Sequence, residues 1–275
     1  MRQTLTRSMR DGISRLGLGS AAFWLYGKAA QANPRSVVAN ARYRREGAPD
    51  RLPIPPSDLI FLVAGTADIS WFLDAGAMGA ATVRDALKRQ RIEIQDLGAV
   101  LDFGCGCGRV LRYWHSLPKT RVCGTDYNPQ LIEWCRENLP FGNFTVNSLS
   151  PPLEYRDAEF DLVYAFSVFT HLTEALQVAW MKELARILKP DGHLLISTHG
   201  ESYLHRLNAE ERQRFTAGQL VVKNNLSAPG SNTCSAYHPA AYVREKLADG
   251  LTVVDFVPEG AKGNPSQDLY VLRRP

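Results

Sequence analysis

The sequence predicts an α/β fold: a doubly wound sheet of about seven strands, mostly parallel with an antiparallel C-terminal strand, and helices on both faces. Three observations predict it. From about residue 98, short β-rich runs alternate with stretches of helical spacing, the pattern of parallel βαβ units. A glycine ladder, "LDFGCGCGRV" at 101–110, follows the first of these runs, where open α/β sheets bind ligands. The last two runs, "LTVVDFV" and "DLYVLRR", have no helix between them and so form an antiparallel, hairpin-like edge.

The elements follow in order. "AVLDF", Ala99 to Phe103, is a strand ending at the glycine loop, and "RVLRYWHSL" after it is helical, over 110–117. "TRVCGTD" is the second strand, ending at Asp126. "NPQLIEWCREN" is the second helix, with Asn128 as N-cap and Pro129 at its first position. "NFTVN" and "EFDLVYAFSVF" read as the third and fourth strands. "TEALQVAWMKELARILKPDG" has helical spacing and stops at Pro190 and Gly192. "HLLISTH" is the fifth strand, and helix "PAAYVREKLAD" precedes the two closing strands.

Upstream, the composition divides the chain. The 275 residues are 45% hydrophobic and 22% charged, enough apolar mass for a globular core. Residues 1–56 carry ten Lys/Arg against three acids, so +7 of the net +4 sits there and the rest sums to −3. Within this stretch, 13–30 has the spacing of an amphipathic helix, with Leu16, Phe23, Trp24 and Tyr26 available for an interface. The run Leu16 to Gly27 is too short to span a bilayer. "AQA" at 30–32, and a single acid in residues 1–31, give a faint targeting-segment look. The proline-dense "GAPDRLPIPPSD" reads as an extended linker. Three segments result: a basic arm and linker at 1–56, a helical lid or substrate segment at 57–97, and the α/β domain at 98–275.

The glycine loop holds Cys105 and Cys107. Cys-x-Cys supplies only two soft ligands, with no second Cys/His pair at finger-like spacing, and a redox motif has two intervening residues. No metal is expected; the cysteines are small fillers in a tight turn. Five cysteines without a regular framework point to a reducing compartment. Glycines at 104, 106 and 108 permit unusual backbone angles and close ligand approach. Amides exposed at a following helix would favour a negative or polar group.

The G-x-G-x-G spacing of this loop resembles the first motif of class I S-adenosylmethionine-dependent methyltransferases, which have a Rossmann-like fold. "GTDYNP" at 124–129 resembles that family's second, acidic motif. "FDLVYAFSVFTHL" at 160–172 resembles its fourth-strand motif, and "ELARILKPDGHLLIST" at 183–198 the approach to its fifth strand. The resemblance covers roughly 98–273 and implies S-adenosyl-L-methionine as cofactor. It implies that Asp102 and the Gly104–Gly108 loop, Cys105 and Gly106 included, hold the amino acid end. Asp126 would accept from both ribose hydroxyls, with Tyr127 and Asn128 flanking ribose and adenine. Asn147 and Ser148 stand where the family has an adenine-contacting residue, while Phe166 and Ser167, with Ala165, would line the methionine part. Structural alternatives stand beside these roles: Asp102 as a loop cap, Ser167 as a strand terminator.

The resemblance further implies transfer of a methyl group to a nucleophile, for which an acceptor hydroxyl benefits from a general base. Of six histidines, His199 (just past the fifth strand, with Glu201 as a partner), His171 (after the fourth) and His238 (before the last helix) are the candidates. The expected acceptor is a small-molecule, lipid- or sugar-linked metabolite. Trp71 and Phe72 in the lid, and Tyr203, Phe215 and Tyr237 in the insertion 201–238, are available as substrate walls. A non-catalytic scaffold is the alternative. A nucleic-acid acceptor is not expected, because "AFSV" stands where base-flipping enzymes carry an "NPPY"-type motif. The expected location is cytoplasmic, with peripheral membrane contact through residues 1–46. The oligomeric state is not legible.

Overall fold

In a computed structural model, which describes residues 34–224, 234–264 and 267–275, seven strands form one sheet. They are β1 (Ala99–Phe103), β2 (Arg121–Asp126), β3 (Gly142–Val146), β4 (Phe160–Ala165), β5 (Leu188–Thr198) and, after the small pair β6 (Val221–Asn224) and β7 (Cys234–Tyr237), β8 (Thr252–Val257) and β9 (Asp268–Arg273). The order is β3-β2-β1-β4-β5-β9-β8, with β9 antiparallel to both neighbours and the other pairings parallel. Strand order reverses between β1 and β4, so the loops leaving those two strands diverge and open a crevice above them.

Successive side chains on a strand face opposite ways, and both faces of this sheet are apolar. Val100, Val122, Leu162, Leu195 and Val271 face one core, with α1 (Pro34–Glu46), α2 (Ser57–Ala64), α3 (Ile69–Arg89) and α4 (Pro129–Asn138) on that side. Leu101, Val163, Leu194, Ile196 and Leu272 face the other. It is closed by α5 (Glu174–Ile187) and by the segment after α6 (Ala209–Thr216), namely α7 (Ala240–Tyr242) with the wider turn Val243–Leu247. Asn128 caps α4 as its sequence position predicts, its Oδ1 accepting from the Gln130 amide at 3.0 Å. Asp68 caps α3 by accepting from the Ser70 and Trp71 amides. At Gly76 in α3 a Cβ would strike the Arg109 carbonyl, so a glycine there lets the helix lie directly on the loop after β1.

Several expectations change. The stretch 110–117 is not a helix but a single tight turn, Leu111–Trp114. Arg109, Val110, Leu111, Arg112 and Trp114 are all buried, and a one-faced helix cannot bury so many neighbours. Arg112 reaches Asp50 (2.5 and 2.9 Å) while Trp114 donates to Tyr164 Oη. The helix expected to run to Pro190 ends at Ile187. Leu188 already pairs with Phe160, the next pair is Leu162 with His193, and residues 189–192 form the bulge between. Residues 34–56, read as part of an arm set apart, are docked on the domain. Asn40 is buried, donating to the Ala67 carbonyl and accepting from the Ile69 amide.

The amphipathic helix at 13–30 and the targeting look at 30–32 lie outside the described residues, as does most of the arm assigned to membrane contact. Among the described residues no single helix is long and apolar enough to cross a membrane. The bent pair α2–α3 reaches the length and hydropathy for it, yet buries Ile60, Phe61, Phe72 and Leu73 in the protein.

Candidate active site

A cleft of about 550 Å3 lies over the carboxyl ends of β1, β2 and β4, within the size range of small-ligand sites. Its floor is the glycine loop. Gly104 (φ +80°) and Gly106 (φ +56°) adopt left-handed angles, and a Cβ at Gly106 would come within 2.6 Å of Val63 Cγ2. Val63 belongs to α2, whose residues Phe61–Ala64, with Gly65, form one wall. The lid reading of 57–97 thus rests on this short helix and Trp71; Phe72 is fully buried in the core instead.

The loop amides do not form an open anion cradle. Those of Gly104 and Cys105 donate to the Thr125 carbonyl and that of Gly106 to Asp126 Oδ2 (2.9 Å). Gly108 (φ +76°) is absent from the cleft lining, and a Cβ there would meet Leu139; in this structure it turns the chain. The other predicted cofactor residues line the cleft, except Ala165, which is fully buried in the sheet core. Cys105 does so as one of five buried free thiols, and burial pushes it well above the usual range, so its chemistry is that of a small apolar filler.

Asp126 ends β2 with its carboxylate in place. Oδ2 takes the Gly106 amide and Oδ1 the Asn128 amide, each at 2.9 Å, leaving further acceptor positions on both oxygens. Burial raises its pKa and the amide bonds work against that. Tyr127 stands half-exposed at the mouth, and Asn128 has its side chain engaged as the α4 cap. Asn147 accepts from Thr125 Oγ1 (2.8 Å) and donates to the Ser148 carbonyl, which fixes the loop after β3 beside Asp126.

Asp102 lies near the end of β1, the strand paired with β2. It is buried, accepts from Tyr164 Oη at 2.9 Å, and its pKa is pushed up to about 7 by burial, against which the Tyr164 bond and the Arg109 charge act. Beside it Arg109, also buried, donates to the Ala75 and Gly263 carbonyls and to Asn264 Oδ1 (2.8 Å). Ser167 holds a left-handed φ of +61°, a strained backbone for a serine. Its amide donates to Ser197 Oγ (2.7 Å), its hydroxyl donates to Asn264 Oδ1 (3.2 Å), and it accepts from Gln267 Nε2 (2.8 Å). Phe166 packs at 5.6 Å from Tyr164. Asn264, a lining residue beside Arg109, leaves its Nδ2 buried without a partner among the described residues.

The three histidines separate. His171 lines the cleft; its Nδ1 lies 2.8 Å from the Cys234 carbonyl, and because a carbonyl only accepts, Nδ1 carries the proton and Nε2 is bare. Burial lowers its pKa, so it is neutral at pH 7. His199 does not line the cleft. It is buried behind Tyr203, ring centroids 4.0 Å apart, with Nδ1 at 3.1 Å from the Ala236 carbonyl, and burial drives its pKa down to about 3. Glu201 is exposed. His238 is fully buried on Gln177 (Nε2 to Oε1, 3.0 Å), with its pKa likewise at about 3 from burial. Neither is placed as a base. Tyr203 reaches the cleft, whereas Phe215 and Tyr237 pack under it.

Besides apolar lining such as Val168 and Leu172, sequence reasoning missed the lining residues Arg109, Trp180, Arg206 and Asn264. Arg109 was visible as the cation closing the glycine ladder. The others sit in a helix, a short turn and a loop, with no local signal.

Residues 101–196 match the family described as "Methyltransferase domain". The chain is 33% identical over 139 residues to a probable tRNA methyltransferase 9B of Mus musculus, covering 50% of this chain and 28% of that protein. It is 31% identical over 103 residues to a malonyl-[acyl-carrier protein] O-methyltransferase of Hahella chejuensis, covering 36% of each. The chain therefore spans about a third of the length of these curated relatives. Among solved structures it is similar in fold to the glycopeptide N-methyltransferase MtfA complexed with sinefungin. The TM-score is 0.50 at 18% identity, over 72% of this chain and 87% of that one.

Proposed function

On the premise that residues 101–196 are a class I, Rossmann-like, S-adenosylmethionine-dependent methyltransferase domain, we propose that this chain moves a methyl group to a hydroxyl or amine of a small-molecule, lipid- or sugar-linked acceptor, with His171 as general base. The observation that carries the reading is one cleft lined by Asp126, Asp102 and a His171 whose Nδ1 is fixed on the Cys234 carbonyl.

The residues present suit the cofactor. Asn264 offers an orphaned amide donor for a carboxylate, and Asp102, ionised above about pH 7, is the acceptor for an ammonium. Asp126 has acceptor positions left for two ribose hydroxyls, and Asn147, Ser148 and Tyr127 border the remaining ring. S-adenosylmethionine, when bound, supplies an electrophilic methyl on a cationic sulfur. His171 Nε2 takes the proton of an acceptor hydroxyl as its oxygen becomes the nucleophile, and releases it to solvent through the half-buried ring. Leu172, Trp180 and Val168 keep the surrounding wall apolar, which excludes water and strengthens the base–acceptor contact.

Titration calorimetry with S-adenosylhomocysteine and with NAD tests the reading. Micromolar binding of the first alone, lost in Asp126→Ala, is the expected result; equal affinity in the variant would overturn the assignment. An RNA acceptor is the second reading, favoured by the tRNA methyltransferase relative. Its mark is an affinity for RNA that falls steeply with salt.

A further inference from the structure

The acceptor half of the cleft has an electrostatic character of its own. The acids of the lining, Asp102 and Asp126, end β1 and β2 on the cofactor side. Its two arginines differ in commitment: Arg109 is engaged by Ala75, Gly263 and Asn264, whereas the Arg206 guanidinium has no hydrogen bond and no carboxylate partner among the described residues. Arg206 closes the short turn Glu201–Arg206 that follows β5, two strands beyond β1 on the side away from Asp126.

Its position is built rather than incidental. The guanidinium carbon sits 4.8 Å from the centroid of the Tyr203 ring. Tyr203 is 5% exposed and stacks on His199, which is held by the Ala236 carbonyl. Lys223 donates to the Arg206 carbonyl and holds the turn from outside. A cation lying over a buried aromatic ring is held at a defined place, with its N–H groups left to an incoming acceptor. Arg206 lines the same cleft as His171, so one small molecule bound there is within the reach of both.

We propose that Arg206 is a specificity residue for the acceptor: the methyl acceptor carries an oxyanion, a carboxylate or phosphate monoester, that docks on Arg206 over Tyr203 while its nucleophile lies at His171. This rests on the methyltransferase reading above. A single uncommitted cation suits one oxyanion on a small molecule; a nucleic-acid backbone calls for a track of cations.

The test is calorimetry on the full-length chain, saturated with S-adenosylhomocysteine, with phenyl phosphate, benzoate and neutral benzyl alcohol as probes. Wild type, Arg206→Gln, Arg206→Lys and the remote control Arg91→Gln are compared. Expected is saturable binding of at least one anionic probe, weakened tenfold or more in Arg206→Gln, partly restored in Arg206→Lys and unchanged in Arg91→Gln. The two arms separate a phosphate from a carboxylate preference. The proposal is overturned if benzyl alcohol binds as well as the anions, or if no anion binds. It is equally overturned if Arg206→Gln binds them as wild type does. Binding of S-adenosylhomocysteine by the same samples reports separately on the methyltransferase reading: its loss in wild type, with Arg206-dependent anion binding intact, removes that reading and leaves the anion site.

Discussion

The Tyr164 hydroxyl donates to Asp102 Oδ2 at 2.9 Å, and the Trp114 indole donates to the same Tyr164 oxygen at 2.8 Å. This chain of bonds runs from the core beneath the sheet to the floor of the cleft, and it stabilises the charged form of a carboxylate whose pKa burial nonetheless holds up at about 7.

Cofactor affinity should therefore depend on pH around neutrality. An ammonium is best received by the ionised carboxylate, so S-adenosylhomocysteine affinity is expected to rise from pH 6 to pH 8, by up to about tenfold per unit below the Asp102 pKa. Tyr164→Phe removes a bond that lowers that pKa and should move the midpoint upward, while Asp102→Asn should flatten the profile. Calorimetry across pH reads all three; a flat wild-type profile would falsify the role of Asp102.

His171→Gln keeps the size and a polar end but removes the base. Methyl transfer from S-adenosylmethionine to a turned-over acceptor is expected to fall by about 10²–10⁴ in kcat with cofactor affinity unchanged. Because burial lowers the His171 pKa, the wild-type kcat at saturating cofactor should stay level from pH 8 to pH 7 and decline on further acidification. A kcat at saturating cofactor that already declines between pH 8 and 7 contradicts a neutral His171 as base.

The Asp50–Arg112 pair ties the N-terminal segment to the loop after β1, with Arg112 fully buried and Asp50 nearly so. Asp50→Ala strands a buried guanidinium and should cost about 3–5 kcal/mol, measured as a shift in urea midpoint. Replacing both partners, as Asp50→Leu with Arg112→Met, should recover a good part of that loss. If the double variant is no better than Asp50→Ala, the charge is not the cause.

His199 and His238 make the protein acid-sensitive. Both have folded pKa values near 3, from burial, against 6.5 for a free histidine. As pH falls below 6.5 the unfolded chain takes up protons that the folded chain refuses, so stability declines through the window from 6.5 toward 3. At pH 5 the cost is about 2 kcal/mol per histidine. His238→Asn should lessen the slope of Tm against pH in that window; an unaltered slope excludes His238 as a source.

Much of this molecule was legible in its sequence because the signals were local. The strand at Ala99–Phe103, Asp126 at the end of the second strand, and Asn128 with Pro129 opening a helix each depend on a few consecutive residues, whose period and capping chemistry act whatever lies beyond. The tertiary structure decided what those signals leave open. His171, His199 and His238 all sit at turns after strands and look alike in sequence; Tyr203 covers one, Gln177 holds another, and the Cys234 carbonyl fixes the tautomer of the third. Gly104 and Gly108 share a left-handed backbone, yet only Gly104 lines the cleft, since Leu139 occupies the side of Gly108. The segment 110–117 has a helical composition but forms a turn, because Asp50 and Tyr164, each at least 50 residues away, pull Arg112 and Trp114 to separate partners. A periodic pattern encodes which way a side chain faces along its own element. What it meets there depends on distant chain, and burial, charge state and access to the cleft follow from that meeting.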